Sequence, residues 1–78
     1  MTQERELIML AKDIDSGRNG CPSVHLDDEA GMFVLLGPEA DTETFSRLEN
    51  VLPGERAVLL RPDVVLRAAD AFRARSAG

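Results

Sequence analysis

Residues 23–36 read SVHLDDEAGMFVLL. Val24 and Leu26 alternate with Ser23 and His25, and the polar turn Asp27-Asp28-Glu29-Ala30-Gly31 leads into Met32-Phe33-Val34-Leu35-Leu36, an unbroken run of apolar strand residues. The pattern predicts a β-hairpin closed by Gly37-Pro38. Strict alternation gives the 23–27 strand one wet face. The five-residue apolar run predicts that 32–36 is a central strand covered on both faces.

Upstream, Leu7, Leu10, Ala11 and Ile14 fall at i, i+3, i+4 and i+7, which predicts an amphipathic helix over about residues 3–16. Thr2 would cap it, Glu4 and Glu6 suit the positive end of its dipole, and Gly17 would end it in the left-handed conformation. Downstream, Asp41 predicts the cap of a short helix over 42–50 with Phe45 and Leu48 inward, stopped by Pro53-Gly54. Ala57 to Leu60 predicts a third strand. Pro62 then opens a last helix in which Val65, Ala68, Ala69 and Phe72 repeat the helical spacing, and the closing residues 75–78 are expected to fray. The expectation is one α+β domain over residues 1–78, in the order α-β-β-α-β-α, with a three-stranded, mainly antiparallel sheet packed by helices.

A chain of 78 residues buries only about 60–65% of its unfolded surface, which leaves little depth for a catalytic cleft. Its 44% hydrophobic and 29% charged residues suit a globular core. Three Phe with no Tyr or Trp leave few platforms on which nucleic-acid bases could stack. The amino end has mixed charge and too short an apolar run for a signal peptide, and no stretch of ~18 apolar residues exists to span a membrane. One cysteine cannot form an internal disulfide. A cytoplasmic location is expected.

A net charge of −5 suits a polyphosphate partner poorly. The charge is uneven, however. Residues 1–55 hold twelve acids and four bases, whereas 56–78 hold five arginines against Asp63 and Asp70. Asp27, Asp28 and Glu29 on the hairpin turn, with Glu39, Asp41 and Glu43 beyond it, form a candidate docking surface for a basic protein. Arg61, Arg67, Arg73 and Arg75 are the alternative, a nucleic-acid patch on the last helix. Cations near that helix's C-terminus also simply suit its dipole.

Other constellations fail on spacing. A calcium loop starting at Asp13 would place glycine at 18 and a bidentate glutamate at 24, where the chain has Arg18 and Val24. The glycines around Arg18-Asn19 follow a predicted helix, so the wrong end of its dipole would meet a phosphate. Cys21 and His25, if extended, lie ~13 Å apart at ~3.3 Å per residue and share neither a metal ion nor a proton. Exposed turn carboxylates also lack the contrasting environments that acid–base catalysis requires. No catalytic residue, metal site or cofactor is expected, and the chain reads as a non-enzyme.

The segments CPSVHL, GMFVLLGPE and GERAVLLRPDVVLRAADAF together resemble the small actinomycete accessory proteins of the BldB type, which accompany helix-turn-helix regulators. The matching positions are Cys21 with Val24, Phe33 to Leu36, Val58 to Leu60 with Pro62-Asp63, and Phe72, within about residues 20–74. The resemblance implies a regulatory partner role without catalytic residues. The resulting expectation is a protein-interaction module serving a DNA-binding transcription regulator; a stand-alone DNA- or ligand-binding domain using the arginine-rich helix is the alternative. The free edges of a small sheet also point to a homodimer.

Overall fold

The computed structural model describes residues 6–14 and 21–77. Its elements run β1 (Leu7–Lys12), β2 (Ser23–Asp27), β3 (Met32–Leu36), α1 (Thr42–Ser46) and α2 (Pro62–Ala77). The fold is α+β with a three-stranded antiparallel sheet, in the order β-β-β-α-α rather than α-β-β-α-β-α.

The predicted hairpin is present, pairing Ser23 with Leu36 through to Asp27 with Met32. Its turn is fixed locally: Gly31 N donates to Asp27 O at 2.8 Å, Ala30 N donates to the Asp27 carboxylate at 3.1 Å, and Gly31 takes φ 70°. The roles of the two strands are exchanged, though. β2 is the centre of the sheet and holds buried Ser23, Val24 and Leu26, whereas β3 is an edge whose five residues are all exposed.

The predicted first helix is instead the other edge strand. β1 pairs antiparallel with β2 from Leu7↔Asp27 to Lys12↔Ser23, with a bulge between Met9 and Ala11. The bulge inserts Leu10 into the ladder and shifts the side-chain phase, so Ile8 and Ala11 share the covered face at helical spacing. Ile14, expected inward, is exposed. The proposed Thr2 cap and Gly17 stop lie outside the described residues.

The predicted third strand at 57–60 is reduced to one bridge, Glu39↔Val58, flanked by bonds from Ala40 N to Ala57 O and from Leu59 N to Pro38 O. Asp41 caps α1, as the sequence predicts, with its carboxylate accepting from Thr44 N at 2.8 Å. The helix ends at Ser46, earlier than expected, and Leu48 is exposed.

The last helix begins at Pro62 as predicted and continues to Ala77, past the point where fraying is expected. It is rotated from the expected face. Val64 and Ala68 are buried and Val65 is exposed. The buried pair meets Ala11 and Val24 in a core bordered by Leu10 and Leu60. The helix packs on β1 and β2. It meets β3 through an edge-on contact of Phe72 with Phe33, their ring centroids 5.2 Å apart. At the far end Arg67 donates to the Lys12 carbonyl at 3.0 Å, tying α2 to the end of β1.

Where β3 ends, the chain segments lie close together. A β-carbon at Gly37 would sit 2.6 Å from the Leu59 carbonyl oxygen, which is backbone and can move only with its chain. Gly37→Ala should cost about 1–3 kcal/mol through overpacking, read as a lowered denaturation midpoint with unchanged far-ultraviolet dichroism.

Candidate functional site

Antiparallel partners project to the same face of a sheet, so the register sorts the side chains. Val24 and Leu26, with Ala11, Ile8, Phe33 and Leu35 opposite them, face α2. The reverse face carries the rows Leu7–Asp27–Met32, Met9–His25–Val34 and Lys12–Ser23–Leu36. Among the described elements no helix packs on this reverse face, although Ser23 in its last row is buried, so the open part is the apolar surface nearer the hairpin turn and along the two edges. Leu7, Met9, Met32, Val34 and Leu36 are 47%, 53%, 64%, 39% and 59% exposed. His25 stands at the middle of this apolar surface, and its Nδ1 is buried without a hydrogen-bond partner among the described residues. A contiguous apolar face of this kind marks an interaction surface more than a reaction centre.

Of the acidic residues singled out from the sequence, Asp27, Asp28 and Glu29 lie at the hairpin turn and Glu39 follows β3, whereas Asp41 and Glu43 belong to α1, which contacts no strand among the described elements. The six therefore do not form one surface, and each has a partner within the chain. Asp27 shapes the hairpin turn, Asp28 lies 3.9 Å from Arg75, and Glu29 is also engaged. Glu39 lies 3.8 Å from Arg56, Asp41 caps α1, and Glu43 pairs with Arg47 at 3.0 Å. Exposed ion pairs of this kind are worth about 0–1 kcal/mol each, so they leave the acids available to a stronger partner.

The alternative arginine patch is neutralised in the same way. Arg61 and Arg67 converge on Asp63 at 3.2 and 3.3 Å, Arg73 pairs with Asp70 at 3.1 Å, and Arg75 faces Asp28. Arg61 also lies 4.0 Å from Asp13, which is buried and whose N–H donates to Pro22 O at 2.8 Å. Asp13, considered above as a calcium ligand, thus helps to join the start of α2 to the ends of β1 and β2. Residues 15–20 of that hypothetical loop lie outside the described residues.

Cys21 is a half-buried free thiol on extended chain leading into β2, and His25 lies within the strand. Among the described residues no group of three or more His, Cys, Asp or Glu side chains could hold a metal ion. A shallow hollow of about 400 Å³ between Pro22, Pro38, Leu59 and Pro62 has Asp13 and Arg61 at its border. No helix among the described residues is long and apolar enough to cross a membrane. Comparison with family models, curated proteins and solved structures finds no match.

Two carboxylates are shifted. Hydrogen bonds from Thr44, through its hydroxyl and its backbone N–H, hold Asp41 below the ordinary carboxylate range. Desolvation raises Asp63, but the hydrogen bonds and charges of Arg61 and Arg67 outweigh it and leave the group lowered. A carboxyl lowered on folding stabilises the fold above its unfolded value near ~3.9 and loses that contribution as pH falls through its folded value. Stability should therefore decline below about pH 4, and Asp63→Asn should flatten that decline in denaturation midpoints measured from about pH 6 to about pH 2.5. Cys21→Ser should leave the fold and any partner binding unchanged, measured by dichroism and titration.

Proposed function

We propose that this chain is a non-enzymatic protein-interaction module, an accessory or regulatory partner of a DNA-binding transcription regulator. The observation that carries the reading is the exposed apolar side chains of Leu7, Met9, Met32, Val34 and Leu36 on one sheet face, with Asp27 in their row and Asp28 and Glu29 following it in the hairpin turn. A surface of that composition suits a protein with an apolar contact patch and a basic rim. The DNA-contacting side of a helix-turn-helix protein has such a rim, and occupying it would compete with the operator. The resemblance to BldB-type accessory proteins points the same way. The net charge of −5 weighs against the alternative of a stand-alone nucleic-acid domain, because a phosphate backbone is repelled by the chain as a whole.

Where a helix-turn-helix regulator is encoded beside this chain, that regulator is the partner to test, with association followed by stopped-flow fluorescence. Replacing Asp27, Asp28 and Glu29 by Asn, Asn and Gln should slow association several-fold at low salt and much less at high salt, because rim charges govern encounter more than final affinity. Asparagine at position 27 retains the turn's acceptor oxygen. Met9→Lys should weaken final affinity at every salt concentration. Undiminished binding by both variants would sink the proposed surface.

A further inference from the structure

We infer that β3 is the seam of a homodimer, pairing antiparallel with β3 of a second copy to make one continuous six-stranded sheet. The inference rests on the strand order, the position of α2 and the side chains of the edge, and it stands independently of the regulator reading.

Among the described residues, strand order β1-β2-β3 gives residues 32–36 a ladder partner on one side only. Isolated folded chains protect such an edge with a charge, a proline or a bulge. β1 carries two of these devices, the bulge at Leu10 and the charged Lys12. β3 carries none of them: its sequence is MFVLL, regular and uncharged. The two edges of one small sheet thus differ in kind, and the unprotected one is the more apolar.

The faces of β3 are partly exposed as well. On one side α2 lies over β1 and β2, so Phe33 and Leu35 remain 44% exposed each, although the Phe72 ring reaches across to Phe33. On the other side Met32, Val34 and Leu36 lie in the open face. A second copy related by a two-fold axis through Val34 answers both deficits. It sets Val34 against its symmetry mate, Phe33 against Leu35 and Met32 against Leu36, so every cross-strand pair is apolar. The offset helices then flank a shared groove filled by Phe33, Leu35 and Phe72 from both copies. An extended peptide from another protein would need this same apolar alternation, whereas the second copy supplies it by symmetry.

Charge sets the salt response. Two chains of net charge −5 repel, and the same register brings the acidic turn level with residues 37–40 of the mate, which include Glu39. Salt should therefore strengthen the dimer, the opposite of its effect on docking of a basic partner.

Sedimentation velocity of the full chain from about 1 to about 200 μM should show a dimer whose dissociation constant falls as salt rises. Val34→Lys places like charges across the two-fold axis and should weaken the dimer by about tenfold or more, while Met9→Lys on the opposite edge should leave it intact. Should Val34→Lys fail to fold, Met32→Glu and Leu36→Lys decide. Each variant alone should be largely monomeric, and an equimolar mixture should regain the dimer, because the carboxylate introduced at position 32 of one chain then faces the ammonium introduced at position 36 of the other. A wild-type monomer at about 100 μM, a Val34→Lys dimer as tight as wild type, or a mixture that stays monomeric overturns the inference. A monomer that still binds its regulator would remove the dimer alone.

Discussion

The close approach of α2 to one half of the sheet is the contact on which the rest of the structure depends. It is made by small side chains: Ala11 and Val24 from the strands meet Val64 and Ala68 from the helix. Small residues let the helix settle deeply over β1 and β2, and the Arg67 bond to the Lys12 carbonyl holds it there. Having been drawn to that half, the helix cannot also cover the other. The exposure of β3 and the buried state of β2 are therefore two outcomes of one placement.

How much of this is legible in the sequence varies with how local the determining physics is. The β2–β3 hairpin can be read because its turn chemistry is contained in residues 27–31, and the Asp41 cap and Pro62 helix start are equally local. β1 reads as a helix because Leu7, Leu10, Ala11 and Ile14 fall at helical spacing by coincidence: in the strand Leu7 projects to the reverse face, Leu10 lies in the bulge, Ile14 is exposed, and it is Ile8 that the bulge brings onto the face of Ala11. Leu, Met, Ala and Lys, which dominate LIMLAK, also favour helices intrinsically, and only pairing with β2 overrides that preference. The central and edge strands exchange places because a continuous apolar run signals cover on both faces without saying whether the same chain provides it. The rotation of α2 is hidden for a related reason. Val64 and Val65 are adjacent and alike, and only the position of the sheet decides between them.

The candidate site shows the same division. Its acids and arginines stand out in composition, yet most are absorbed by neighbours such as Arg47 with Glu43 or Arg73 with Asp70, pairs set by helical spacing. The apolar face does not emerge from the sequence as a surface, because the spacing of Leu7, Leu10 and Ala11 points to a helix. Only the register Met9–His25–Val34 brings residues from three separate segments into one row.

The bond between Arg67 and Lys12 spans 55 positions of the chain. The core consequently unites the first described strand with the last helix, and the hairpin between them contributes little burial until both have arrived. During synthesis β1, β2 and the bare MFVLL strand leave the ribosome well before α2 can cover any part of them. Folding must wait for a long loop to close, a step whose entropy is lost before the contacts that compensate it have formed. The molecule thus passes through an interval in which its stickiest segment has neither helix nor neighbour, and its yield in the cell depends on how short that interval is.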